Sequence, residues 1–155
     1  TLVGMFYGAK EISALNQIIR YGIISSFIIT LISSAFVYLF ADVFSSWFTD
    51  DQEIIDVSVG FLRLLSLVYP LVAIAITSGR VMQGLGKGLP VLIITVIRVL
   101  GISAPLSLYF SFILEKPVEW NWYAMMIAAA ISFTIAVYWV RFELNKINKI
   151  HGETI

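Results

Sequence analysis

The sequence contains no cysteine and very few charged residues. Without cysteine the chain has no disulfide bond, no thiolate metal site and no cysteine nucleophile. Charged residues make up 13% of its 155 residues, against about 25% in a typical soluble domain. The single histidine, His151, stands alone near the end of the chain, so neither a multi-histidine metal site nor a Ser-His-Asp triad is available. We therefore expect no metal site, no catalytic residues, no cofactor and no enzyme activity.

Apolar residues, in contrast, account for 59% of the chain, where soluble domains have about 45–50%. A chain this short could not bury so much apolar surface in water, which indicates a lipid environment. The formal net charge is zero, and no basic face interleaved with aromatic residues is present, so we expect no nucleic-acid partner. The composition predicts an all-α membrane protein whose first partner is the lipid bilayer.

Four apolar runs are long enough to cross a membrane as helices. They predict spans at about 23–40, 54–83, 89–114 and 122–140, in a helical bundle over 1–143 with a cytoplasmic C-terminal tail over 144–155. At about 1.5 Å per residue, 18 apolar residues cover about 27 Å, close to the thickness of a hydrocarbon core. Because the sequence opens inside an apolar phrase, TLVGMFYG, we interpret 1–8 as the end of a preceding helix and the chain as a fragment. Residues 10–20 are interpreted as an interfacial loop or short helix, and the acidic segment 41–53 as a solvated loop.

A glycine-rich segment, SGRVMQGLGKGLP at 78–90, separates the second and third spans. Glycine accepts positive φ without steric penalty, and proline fits the first turn of a helix, so this segment predicts a tight turn between two helices. Four spans put Lys116 and seven acidic residues at one side of the membrane, and seven basic residues at the other. The positive-inside rule makes cytoplasmic the side, shared with the C-terminus, that carries the seven basic residues. These residues are Lys10, Arg20, Arg80, Lys87, Arg141, Lys146 and Lys149.

Polar and helix-breaking residues inside the spans are candidates for function. Arg98 lies ten residues beyond Gly88, about 15 Å along a helix, and a charge at that depth needs a partner, a wet cavity or a route to the surface. No acidic residue lies between Asp56 and Glu115. Pro70 and Pro105 each remove a backbone hydrogen bond, so we expect a kink at Pro70 and treat both as hinge candidates.

Two spans carry stripes of small residues at helical spacing. Such stripes favour close helix packing; for the first stripe a cavity lining is the alternative interpretation. The first stripe contains Gly22, Ser26, Thr30, Ser33 and Ser34, and the second contains Ala124, Ala128, Ser132 and Ala136.

Several phrases, taken in order, resemble the multidrug and toxic compound extrusion (MATE) transporters. VGMFYGAKE at 3–11 is similar to the family's VGQxxGA phrase, although 5–7 depart from its usual Gln-Asn. FLRLLSLVYP at 61–70 is similar to the opening of the tenth helix, and MQGLGKGLP at 82–90 to the QGxG turn that follows it. Arg98 and Pro105 match the R-x6-P pattern of the eleventh helix. The resemblance covers about 140 residues.

The resemblance implies a fold and a function. The chain would form the last four helices of a carboxy-terminal six-helix lobe in a cell (plasma or inner) membrane. Its partner would be the amino-terminal half, and small organic cations would be its substrates. Export would proceed by alternating access and be coupled to sodium or protons. Some members carry a coupling carboxylate in the tenth helix, but this chain has none there after Asp56, so we expect the ion to bind mainly outside it. The candidate cavity residues are Ser66, Tyr69, Thr77, Thr95 and Arg98.

Two other functions remain open from the sequence. A lipid-linked oligosaccharide flippase of the same superfamily would carry a pyrophosphate cargo, and an arginine-rich cavity in the amino-terminal half would favour this alternative. A non-transporting four-helix membrane scaffold or subunit would have to bury its polar stripes against itself or a partner.

Overall fold

The structure is a computed structural model that describes residues 2–152. Within that range the chain forms six helices: α1 (Leu2–Gly8), α2 (Ile12–Leu39), α3 (Ala41–Ser46), α4 (Gln52–Gly84), α5 (Leu89–Ile113) and α6 (Glu119–Gly152). Helices α2, α4, α5 and α6 are each long and apolar enough to span a membrane, which confirms the predicted fold class. Thr1 and 153–155, from the predicted preceding helix and tail, lie outside the described residues, as does the His151 side chain.

Helix α2 begins well before the predicted first span. The separate element predicted at 10–20 is wrong, because the helix runs without a break from Ile12. Leu15 and Ile19, one turn apart, are buried in the core, and their packing holds this polar stretch in helical form. Asn16 Nδ2 donates to Asn148 Oδ1 of α6 at 2.9 Å. The start of α2 is therefore fixed to the end of α6.

The acidic segment after α2 is more ordered than a solvated loop. It contains the short helix α3, in which Ala41 and Ser45 are buried. Arg63 of α4 reaches into this segment, where its Nη2 donates to Asp42 Oδ2 at 2.6 Å. The Arg63 guanidinium also lies 5.8 Å from the centre of the Tyr38 ring. The segment is thus joined to α4 by an exposed ion pair.

Helix α4 is the centre of the bundle and packs most extensively against α2 and α6. On α6, the predicted small-residue stripe of Ala124, Ala128, Ser132 and Ala136 is entirely buried, as expected for close helix packing. On α2, Ser26 Oγ accepts a hydrogen bond from Thr77 Oγ1 of α4 at 3.0 Å. The first stripe therefore includes a packing contact between α2 and α4.

The turn between α4 and α5 is the tight turn that the glycines predict. Gly86 has φ +78°, and the N–H groups of Lys87 and Gly86 donate to Met82 O at 2.9 Å and Gln83 O at 3.0 Å. This pattern is a Schellman motif, which satisfies the last carbonyls of a helix. Gly84 has another role, because a Cβ there would lie 2.8 Å from Val3 Cβ of α1. Glycine at this position lets α1 and α4 touch.

Helix α5 alternates between α-helical and π-helical turns. Leu89–Val96 is α-helical, Ile97–Ser103 is π-helical, Ala104–Leu108 is α-helical and Tyr109–Ile113 is π-helical. Pro105 follows the first π segment, has no N–H, and in a regular helix its ring would crowd the carbonyl of Gly101. The Ala104 N–H instead donates to Val99 O, five residues back. The wider turn relieves the crowding that Pro105 would otherwise cause.

The long helices run antiparallel, so their ends form two groups. At the end we call the basic end, Lys87 of the α4–α5 turn forms an ion pair with Glu143 of α6, and α2 meets α6 through the Asn16–Asn148 bond. This end carries the seven basic residues named above. At the opposite, acidic end Asp42 pairs with Arg63. The acids assigned to it are Asp42, Asp50, Asp51, Glu53, Asp56, Glu115 and Glu119.

Candidate functional site

Two cavities lie between α4, α5 and α6, one after the other along the bundle. Cavity A has a volume of about 290 Å³ and is lined by residues within 61–72 of α4, 98–103 of α5 and 122–129 of α6. Cavity B, also of about 290 Å³, is lined by residues within 75–83 of α4, 91–98 of α5 and by Ser132 of α6. Cavity A is therefore nearer the acidic end and cavity B nearer the basic end. Arg98 lines both and marks the boundary between them.

Cavity A has apolar, aromatic and sulfur-containing walls. Phe61, Tyr69 and Trp122 supply aromatic rings, and Met125 and Met126 supply thioethers. The rings of Phe61 and Trp122 are 5.4 Å apart and tilted, which fixes one wall of the cavity. Tyr69 is 41% exposed, so its ring is available to a bound molecule. Flat rings and flexible methionines accommodate apolar molecules of different shapes.

Cavity B is lined by more polar side chains. Arg80 Nη1 donates to Gln83 Oε1 at 3.1 Å, and Thr95 Oγ1 donates to Val91 O, on its own helix, at 2.9 Å. Ser132 is 4% exposed, and its buried hydroxyl has no hydrogen-bond partner in the described part of the chain. The residues that line cavity B thus include two arginines and one serine with an unsatisfied hydroxyl.

Three of the five predicted cavity residues line these cavities. Tyr69 lines A, Thr95 lines B and Arg98 lines both. Two others, Ser66 and Thr77, line neither cavity. Ser66 is buried and donates to Arg63 O, one turn back, at 2.7 Å, and Thr77 donates to Ser26 across the α2–α4 contact.

Arg98 is half-buried within the π-helical segment of α5. No carboxylate lies within ion-pair distance of it in 2–152, and the same described residues provide no carboxylate wall to either cavity. No group of three or more histidine or acidic side chains in that range could hold a metal ion. Of the possibilities open for Arg98, the structure places it beside a cavity.

The hinge candidates lie on two walls of the cavities. Pro70 is buried within α4, and the helix continues without a break before and after it. Pro105 is the second residue of the α-helical segment that follows the first π segment of α5. Both prolines are therefore in helices that line the cavities.

Some lining residues were not predicted as such. Trp122 stands at the predicted start of the fourth span, and Ser132 belongs to the stripe predicted for helix packing, yet both line cavities. The position of the lining residues on α6 is a signal in the sequence. Met125 and Met126, which line cavity A, lie beside the small-residue stripe, and Ser132, which lines cavity B, is the one polar member of that stripe. A polar residue in an otherwise alanine stripe is the feature that would have indicated cavity B.

Comparisons with known proteins agree with this architecture. The MatE family model matches residues 1–109. The probable multidrug resistance protein NorM of Thermotoga maritima is 29% identical over 107 residues, which cover 69% of this chain and 23% of the relative. A crystal structure of MATE in the bent conformation has the same fold, with a TM-score of 0.86 and 23% identity, over 97% of this chain and 33% of that chain. This chain thus spans about a quarter to a third of the length of these two proteins. It belongs to the MatE family, the multidrug and toxic compound extrusion family that its motifs resemble.

Proposed function

We propose that this chain is part of a secondary active exporter of cationic or amphipathic compounds. The observation that carries the proposal is cavity A, an apolar cavity with the exposed ring of Tyr69 on its wall, in a chain of the MatE family. The face of an aromatic ring attracts a cation, and methionine side chains adapt to different apolar shapes. In the proposal the cargo is amphipathic: its apolar part packs in cavity A and its positive charge lies on the Tyr69 ring, away from Arg98, which also lines the cavity.

Alternating access requires that the cavity open at one membrane surface at a time. Cavities A and B follow each other along α4, and Arg98 lies between them. Pro70 removes one backbone hydrogen bond from α4. In the π-helical segment before Pro105, the hydrogen bonds of α5 shift to five-residue spacing. In the proposal these two positions are hinges, where one end of a wall helix tilts while the other end stays packed.

The coupling ion and a second lobe complete the proposal. Since no carboxylate in the described part of the chain lines either cavity, sodium or protons would bind mainly outside this chain. An amino-terminal lobe would supply the coupling acid and the opposite wall of the pathway. The protein would lie in the cell membrane with its basic end and C-terminus in the cytoplasm. The name of the NorM relative, a probable multidrug resistance protein, is consistent with such a role.

The test is dye efflux from proteoliposomes that contain the full-length protein. Vesicles would be loaded with a fluorescent cationic dye, a sodium or proton gradient imposed, and the dye leaving the vesicles measured over time. We expect efflux that depends on one of the two gradients and stops when an ionophore dissipates it, while protein-free vesicles retain the dye. If folded, reconstituted protein moves no cationic dye under either gradient, the proposal is wrong.

A further inference from the structure

We propose that cavity B binds the phosphate group of an anionic ligand, held by Arg80, Arg98 and Ser132. The first argument is charge. Exposed Arg80 and half-buried Arg98 both line one cavity of about 290 Å³. No carboxylate in the described part of the chain lines it with them. Two positive charges beside one cavity within a membrane are costly without a counter-charge, and a bound anion would supply that counter-charge.

The second argument is hydrogen bonding. Each guanidinium has five N–H donors in a planar fork that matches phosphate oxygens. In 2–152, Arg80 uses one of them on Gln83 Oε1 at 3.1 Å, and the side chain of Arg98 makes no hydrogen bond or ion pair. The Arg80–Gln83 bond orients the first fork and leaves its remaining donors free. Most of the donors in cavity B are thus available to a ligand.

The third argument is the Ser132 hydroxyl, which is buried and unsatisfied on the α6 side of cavity B. A buried hydroxyl without a partner costs free energy, so most are paired in native structures. A phosphate oxygen held by the two arginines would accept its proton. Ser132 is therefore a third donor, on a third helix.

Depth in the membrane indicates the side from which a phosphate reaches cavity B, which is the basic end. Arg80 lies four residues before the end of α4, which is about 6 Å along the helix axis. Arg98 lies nine residues after the start of α5, which is about 13 Å along the axis. Arginine side chains at such depths extend toward the headgroup layer. A lipid phosphate of the leaflet at the basic end could reach both, and so could a soluble phosphate from the water on that side.

Lipid binding by the full-length protein tests the proposal. Native mass spectrometry would compare retention of phosphatidylglycerol with that of phosphatidylcholine. We expect wild-type protein to retain phosphatidylglycerol preferentially, and the R80Q/R98Q variant to bind it at least about tenfold more weakly. The matched control is R63Q/R141Q, which removes two positive charges outside cavity B and should bind like wild type. If R80Q/R98Q fails to fold, S132A serves in its place and should weaken binding several-fold.

A second arm distinguishes the two sources of phosphate. Inorganic phosphate should raise the melting temperature of wild-type protein, but not of R80Q/R98Q, if the ligand is a soluble phosphate. Preferential binding of phosphatidylglycerol without that shift would assign the site to a lipid headgroup. The proposal is overturned if neither probe distinguishes wild type from R80Q/R98Q, or if R63Q/R141Q loses the same affinity. Dye efflux is not a readout of this test, so the exporter proposal and this one fail independently.

Discussion

Lys10 ends α1 in a left-handed backbone conformation, with φ 59°. The N–H groups of Lys10 and Glu11 donate to Tyr7 O at 3.2 Å and Phe6 O at 3.0 Å. This is the same Schellman pattern that Gly86 makes after α4. Left-handed geometry brings the Cβ of a non-glycine residue close to its own backbone, at a cost of about 1–2 kcal/mol. The chain reverses direction between α1 and α2 through this strained conformation of Lys10.

Replacing Lys10 with glycine should therefore stabilise the protein. We expect K10G to raise the free energy of unfolding by about 1 kcal/mol, because the relief of strain exceeds the extra entropy of glycine in the unfolded chain. Thermal unfolding of the protein in detergent measures the shift. The matched control is G86A, which puts a Cβ into the same conformation and should lower the melting temperature. An unchanged or lower melting temperature for K10G would contradict the role given to this position.

At the candidate site, the sequence indicated which polar residues lie inside the spans, but not which of them line a cavity. Arg98 was singled out because a charge within an apolar run is costly, and it lies beside both cavities. Ser66 and Thr77 were also predicted as cavity residues, but a hydroxyl can be satisfied by a single acceptor. Each donates its one proton to a nearby oxygen of α4 or α2. A single acceptor of this kind would leave most of the five donors of a guanidinium unpaired. Polarity alone does not separate these two outcomes.

At the scale of elements, hydropathy was sufficient for the four long helices but not for their ends. Helix α2 starts at Ile12, in a polar stretch, because Leu15 and Ile19 pack against the core there. The π turns of α5 were also not predicted, since a change from four-residue to five-residue hydrogen bonding leaves composition and length unchanged. Pro105 indicated a break in the helix but not its form.

The contact between the α4–α5 turn and α6 was also not predicted, although the α6 stripe pointed to it. Continued along the helix, the stripe reaches Val140, Glu143 and Ile147, all of which are buried. Glu143 is 8% exposed and pairs with Lys87 of the turn. A carboxylate in that position is stable only with its partner, so the ion pair ties the turn to α6.

A double-mutant cycle on this ion pair should show strong coupling. E143Q and K87Q should each lower the free energy of unfolding, while the double variant should cost no more than the worse single variant, because it leaves no unpaired charge. We expect a coupling energy between the roughly 1 kcal/mol of an exposed pair and the roughly 3–5 kcal/mol of a fully buried one. The matched control is the exposed pair, with D42N and R63Q, whose coupling should stay below about 1 kcal/mol. Additive effects of K87Q and E143Q on the free energy of unfolding would contradict a stabilising ion pair between the turn and α6.

At the scale of the whole molecule, the two ends differ in charge and the surface between them is apolar. The most apolar stretch of α5 has no buried residue, and that of α2 is 6% buried, so in this chain both helices present their apolar side chains outward. Lipid tails or further helices provide the environment for such surfaces. The charge difference between the ends supports the proposed orientation, with the basic end in the cytoplasm.

Binding of a cationic dye to the purified protein tests the central claim, that cavity A holds the cargo, most directly. The affinity of a rhodamine cation, measured by fluorescence anisotropy, would be compared between wild type, Y69A and Y21A. Tyr69 lines cavity A, whereas Tyr21, on α2, is 63% exposed and lines neither cavity. We predict that Y69A weakens binding about tenfold, through loss of about 1–2 kcal/mol of ring and apolar contact, and that Y21A binds like wild type. Equal affinities for wild type and Y69A would contradict the claim.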